Sequence, residues 1–253
     1  MSRFQKVICV AYLVSVVCAE GSTLFSPVFG LASHTAILLA LLAAFATIKT
    51  SAFSGLLLVL TIVPLIRILS LSMPLAHFAY IMWFLLTSLP IFAAVFACMI
   101  IQKLSLKDVG ITLPKLNHLP VEVGIVLLGL PMGMLEYWLL TPRPLVSELE
   151  PVLLITSALI IIICTGFVEE LAFRGLMQYH ASKVMGWWGI PFITAAFAVM
   201  HIGNLNYWDV LFAFAVGGIY ALVVKKTGSI FGVTLSHGLL NVILFLIGPV
   251  YLG

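Results

Sequence analysis

The sequence predicts an all-α, polytopic membrane bundle of eight or nine transmembrane helices with a cytoplasmic N-terminus. Three observations carry that expectation. Of 253 residues, 63% are hydrophobic and 8% charged, whereas a soluble domain carries roughly 25% charged residues. Apolar runs recur along the whole length, several of them near the roughly 20 residues that a span requires. The basic residues gather on alternate connections between those runs, as the positive-inside rule asks.

The runs lie at about 6–19, 34–48, 54–72, 75–102, 121–140, 152–180, 188–203, 207–225 and 229–248. The first follows Arg3 and Lys6 and imitates a signal peptide. No small-x-small cleavage site precedes the next run, so we read it as an uncleaved first helix. Flanking Ser, Thr and Gly extend the shorter runs to spanning length. Nine spans result, or eight if the first two or three are tilted or re-entrant.

The basic residues test that count. With the N-terminus inside, cytoplasmic segments hold Arg3, Lys6, Lys49, Lys103, Lys107, Lys115, Lys183, Lys225 and Lys226. The outside holds Arg67 and Arg143, and Arg174 falls within a span. His34 and His77 lie near span ends, where interfacial placement is expected. The polar segment Lys103–Pro120 divides about four N-terminal helices, residues 1–106, from a core of about five, residues 107–253.

Composition also excludes. The net charge of +3 and its scatter give no nucleic-acid surface. Cys9, Cys18, Cys98 and Cys164 stand singly, without C-x-x-C spacing, so neither a disulfide framework nor a thiolate metal site is expected. Gly-x-Gly-x-x-Gly and P-loop patterns are absent. The chain is expected in the cell membrane, in contact with lipid.

The chemistry concentrates in Phe167-Val-Glu-Glu-Leu-Ala-Phe-Arg-Gly175. Glu169, Glu170 and Arg174 sit in an apolar run, where three unpaired charges would cost roughly 8–10 kcal/mol. An intramembrane ionisable group is a functional-site hypothesis by default. Glu170 and Arg174 are four apart with the acid first, the favourable order for a pair on one helix face. Glu169 points about 100° away, which leaves it free to face a cavity.

Two further patterns follow. Phe197-Ala-Val-Met-His201 places a histidine near the end of one run, and His237-Gly-Leu-Leu-Asn241 places His and Asn on one face of the last. Glu169 and His201 are each sixteen residues from Met185. At 1.5 Å per residue both lie roughly 20 Å below that turn, and His237 and Asn241 roughly 15–20 Å below the turn at Thr227-Gly228. All four are expected at one level, near mid-membrane and toward the inner side.

A Glu, two His and an Asn at one level suit hydrolysis. Glu takes a proton from water, and His and Asn donate to a developing oxyanion. Gly-x-Ser-x-Gly and His-Glu-x-x-His are absent, which disfavours serine hydrolases and the common zincins. Zinc held by Glu169, His201 and His237 stays chemically open, since His₂Glu is a known ligand set. A transporter is opposed by the lack of inverted repeats and of further intramembrane charges.

Glu169-Glu170-x-x-x-Arg174, Phe197-x-x-x-His201 and His237-x-x-x-Asn241, in that order, resemble the signature of the CPBP family. That family includes CAAX prenyl endopeptidases and bacterial proteins linked to bacteriocin processing and self-immunity. The resemblance extends to Phe173-Arg174-Gly175 and Thr227-Gly228-Ser229 and covers roughly residues 121–248. It departs in one glycine-rich span, where Gly217 and Gly218 are adjacent and Ala221 replaces a spaced glycine.

The resemblance implies a membrane-embedded endopeptidase of glutamate rather than metal type. Glu169 and His201 would activate water, His237 and Asn241 would bind the oxyanion, and Glu170 and Arg174 would support the site or position substrate. The expected partner is a peptide or protein substrate that enters from the cytosolic side, with prenylation left open. The competing expectation is a catalytically silent membrane protein that binds a partner or confers bacteriocin immunity.

Overall fold

The computed structural model describes residues 1–48, 51–146 and 150–251. Lys49, one of the basic residues assigned to the inner side, lies outside the described residues. Among the described residues the elements are all helical. Eight helical stretches are long and apolar enough to cross a membrane, which makes this an integral, multi-pass membrane protein.

In chain order these are α1 (Arg3–Phe25), α2 (Pro27–Thr47), α3 (Ala52–Ser72), α4 (Tyr80–Ile101) and α5 (Leu119–Leu140). A 54-residue stretch, Pro151–Asn204, follows, and then α8 (Tyr207–Thr227) and α9 (Phe231–Tyr251). Fifty-four residues exceed twice the length of one span. The stretch turns back at Gly186, whose φ of +59° suits a residue without a Cβ. Beyond the turn Gly189 lies so near the preceding limb that a Cβ there would sit 2.6 Å from the Ala181 carbonyl carbon. We therefore number the limbs α6 (residues 151–185) and α7 (residues 186–204). Nine passes result among the described residues, within the expected eight or nine.

Local sequence sets the ends. Ser2 opens α1 as a capping box: Ser2 Oγ accepts from the Gln5 N–H at 3.2 Å, and Gln5 Oε1 accepts from the Ser2 N–H at 2.9 Å. Pro27 and Pro151 sit in first turns, where a missing N–H costs nothing. In the polar connection after α4, Ser105 donates its N–H and hydroxyl to Asp108 at 2.8 and 2.6 Å. Those bonds hold the Asp108 carboxyl below its ordinary range.

The connections form two faces. On one, the Ile230 N–H donates to Gly110 O at 3.0 Å and Tyr179 OH donates to Asp108 at 3.3 Å, while Lys6 lies beside Met185 and Trp188. The other holds the ends of α5, α7 and α9. There Asn206 Nδ2 donates to Leu139 O at 2.7 Å and the Leu145 N–H donates to Phe245 O at 3.2 Å.

Three expectations need correction. His34 is fully buried rather than interfacial, with Nε2 3.4 Å from Glu20. Arg67 lies within α3 rather than in an outer loop, and its guanidinium grips Glu20 at 2.9 and 2.7 Å. His77, by contrast, is exposed between α3 and α4. Third, further carboxylates do lie inside the bundle: Glu20, Glu122 and Glu136 are all buried. Their neighbours explain two of them. Glu20 has Arg67, and Glu122 accepts the Gly232 N–H at 2.8 Å near the start of α9, where a helix favours negative charge.

Candidate active site

The site is built where α6 crosses α9. A Cβ on Gly166 would lie 2.8 Å from Thr234 O and 2.9 Å from the Gly238 nitrogen. A Cβ on Gly238 would lie 2.7 Å from the Ile162 side chain. Glycine at both positions lets the backbones touch. Around this crossing α6 widens into π-helical turns, Ile162–Phe167 and Leu171–Met177, on either side of Val168–Glu170. Such turns occur often at functional sites.

The adjacent glutamates part as the spacing predicts. Glu170 is fully buried, whereas the Glu169 side chain is 35% exposed, on a cavity. Arg174 donates to Glu170 Oε1 at 2.9 Å. The same oxygen lies 2.8 Å from His237 Nδ1. The guanidinium carbon also stands 4.2 Å from the centre of the Phe197 ring, a cation–π contact. Phe197 meets Phe173 edge-on at 5.0 Å. Of the adjacent glycines, Gly217 is the one the site requires. A Cβ on Gly217 would lie 2.8 Å from an Arg174 nitrogen, so the guanidinium occupies the space that the missing side chain leaves.

A cavity of about 410 Å³ is lined by Glu169, His201, His237 and Asn241, with Thr165, Glu136 and Asn204 beside them. The structure thus brings together the four residues singled out in the sequence. His237 Nε2 lies 3.9 Å from Glu169 Oε2. His201 stands on a short 3₁₀ turn, Met200–Asn204, that ends α7. Its Nδ1 lies 3.3 Å from Phe197 O, so Nε2 is the nitrogen left for the cavity. Arg67 steadies that turn by donating to Met200 O at 2.8 Å. Asn241 donates Nδ2–H to Thr165 Oγ1 at 2.9 Å, and Thr165 in turn donates to Ile161 O at 2.7 Å.

The depth argument sets entry on the side of the turns near Met185 and Thr227, and the cavity wall runs the other way. The cavity wall continues to Tyr80, Leu140, Pro142 and Asn204. All four stand where α4 begins or where α5 and α7 end, opposite the turns near Met185 and Thr227. His201 is sixteen residues from Met185 but only three from Asn204, so it lies close to the far face.

Sequence reasoning missed Thr165, Glu136 and Asp209. Glu136 is 6% exposed, lies beside Asp209 and lines the cavity, with Oε2 lacking a hydrogen-bond partner. Asp209 is fully buried and accepts from Asn204 Nδ2 at 2.8 Å. The signal for Glu136 was present: it is a carboxylate deep in the apolar run 121–140, fourteen residues beyond Glu122, which is the rule that marked Glu169.

A helical membrane bundle holding a Glu, His, His and Asn around one cavity defines a class: multi-pass membrane proteins with an intramembrane polar site. Residues 151–243 match the family described as type II CAAX prenyl endopeptidase Rce1-like. The match bears out the family read from the ordered motifs and includes all three of them. At family level it supports a CAAX-type, membrane-embedded endopeptidase acting on a peptide or protein. Comparison with curated proteins and with solved structures gives no match.

Proposed function

We propose that this protein is an intramembrane endopeptidase of glutamate type. Glu169 and His201 activate a water, and His237 and Asn241 hold the oxyanion. The observation that carries the reading is the cavity itself, which collects these four side chains and sets His237 Nε2 3.9 Å from Glu169 Oε2.

The step balances with these residues alone. Glu169 takes a proton as the water oxygen bonds to the peptide carbonyl carbon, with His201 orienting that water. The carbonyl oxygen becomes an oxyanion and accepts hydrogen bonds from His237 Nε2–H and an Asn241 Nδ2–H. His237 acts as an imidazolium, giving Nδ1–H to Glu170, with the two glutamates balancing its charge. When the C–N bond breaks, Glu169 returns its proton to the leaving amine. Thr165 holds Asn241 in place, and Arg174 holds Glu170.

Zinc has no step in this reading, and the alternative ligand set, Glu169, His201 and His237, is left to metal analysis of the purified protein. We place the protein in the cell membrane with its N-terminus in the cytosol, following the positive-inside rule.

The test is cleavage of matched prenylated and unprenylated peptides by the purified protein in detergent or lipid. Glu169→Gln should lose at least the ~10²–10⁴-fold that a general base supplies, while staying folded. Full activity in Glu169→Gln would overturn the assignment. Cleavage of neither peptide set would instead support a silent, partner-binding role.

A further inference from the structure

We infer that the cavity is served from the extracytoplasmic side, so that the substrate is a peptide segment exposed outside the cytosol. The inference rests on reading this cavity as the catalytic site. It sets aside the cytosolic entry expected from the sequence.

Two independent observations meet. The first is where the cavity opens. Its outer wall is Tyr80 at the start of α4, Leu140 and Pro142 at the end of α5, and Asn204 at the end of α7. These positions share one face of the bundle, since Asn206 reaches Leu139 O at 2.7 Å. The second is where the cations lie. Arg3, Lys6, Lys103, Lys107, Lys115, Lys183, Lys225 and Lys226 belong to the opposite face, which carries the N-terminus and the turns at Gly110, Met185 and Gly228. On the cavity's face the described connections carry Arg143, while Arg67 is consumed by Glu20 inside the bundle. Positive charge within about 15–20 residues of span ends marks the cytoplasmic side. The mouth is therefore extracytoplasmic.

Packing closes the other route. A separate basin on the basic face, lined by Lys107, Asp108, Tyr179 and Lys225, reaches as far as Arg174. Between it and the catalytic cavity stand the Glu170–Arg174 pair and Tyr220, none more than 3% exposed. A peptide on the cytosolic side would have to displace a buried ion pair to reach Glu169. From the far side it meets an open mouth.

Thiol labelling in intact cells expressing the full chain tests this without reference to proteolysis. Pro144→Cys and Leu113→Cys report the two faces, both positions being exposed. Leu140→Cys reports the mouth. The wild-type chain, with Cys9, Cys98 and Cys164 buried and Cys18 exposed along the spanning α1, is the blank. A small, charged, membrane-impermeant methanethiosulfonate added outside should label Pro144→Cys and Leu140→Cys, and label Leu113→Cys only after permeabilisation. Labelling of Leu113→Cys in intact cells with none at Pro144→Cys would reverse the orientation and overturn the inference. Pro144→Cys labelled while Leu140→Cys stays silent would mean that the mouth is shut, which also overturns it. If labelling behaves as expected but Glu169→Gln cleaves like wild type, the catalytic reading fails and the access geometry stands.

Discussion

Glu170 and His237 are joined at 2.8 Å between Oε1 and Nδ1, and that same oxygen receives Arg174 at 2.9 Å. One carboxylate oxygen thus ties α6 to α9 and fixes the imidazole whose other nitrogen faces Glu169. Glu170 is a positioning residue in this arrangement, with its effect passing through His237. Hydrogen bonds to charged groups contribute about 1.5–3 kcal/mol. Glu170→Gln should therefore lower kcat roughly ten- to hundred-fold with little change in KM, and Glu170→Asp should recover part of the loss. A change confined to KM would show that Glu170 contacts substrate instead.

Arg174→Ala should weaken the fold as well as the activity. It strips a fully buried carboxylate of its permanent cation and leaves His237 as its one close partner. Breaking a buried pair costs about 3–5 kcal/mol. Thermal unfolding in detergent should show a clear fall in Tm. Arg174→Lys should restore charge but not the stacking on Phe197, and so should fall between the two. An unchanged Tm in Arg174→Ala would show that the pair adds nothing.

Gly166→Ala and Gly218→Ala make a matched pair. At Gly166 the new methyl meets backbone, Thr234 O at 2.8 Å and the Gly238 nitrogen at 2.9 Å, and backbone cannot swing aside. The helices must separate, which moves Glu169 away from His237. At Gly218 the nearest atom is a Thr194 methyl at 3.8 Å, an ordinary contact. Overpacking costs about 1–3 kcal/mol. Gly166→Ala should thus lower both Tm and activity, while Gly218→Ala leaves both close to wild type. Equal behaviour of the two variants would contradict the close crossing.

The spans were legible because hydropathy is a sum over many residues, and a sum survives local exceptions. Glu170–Arg174 was legible because four residues make one helical turn. Glu170–His237 was not, since those residues are 67 apart in the chain and only the α6–α9 crossing joins them. Glu20, Arg67 and His34 illustrate the same limit. His34 reads as interfacial and Arg67 as outer by place near a span end, Glu20 was not singled out, and the pairing of both with Glu20 lets all three lie inside. The opening of the cavity was hidden for another reason. Distance from a turn fixes a level along the helix axis but does not say which end the surrounding side chains leave unfilled.

Asn241 bears on the choice between a carboxylate-activated and a metal-activated water. Glu169, His201 and His237 serve either scheme, so substitutions at those positions do not separate them. Asn241 does. One of its N–H groups is held by Thr165 Oγ1 at 2.9 Å, which fixes the amide on the cavity wall and leaves a second N–H for an oxyanion. An amide nitrogen is a donor in this role and no ligand for zinc. Asn241→Ala should lower kcat by about 10²–10³, the cost of losing one oxyanion donor. Thr165→Val frees the amide without removing it and should cost only about two- to ten-fold, one neutral hydrogen bond. Activity should persist after strong chelators have stripped tightly bound metal, with zinc well below one per chain in the purified protein. One zinc per active chain, with activity lost on chelation and regained on adding zinc, would establish the metal scheme and return Asn241 to a structural role.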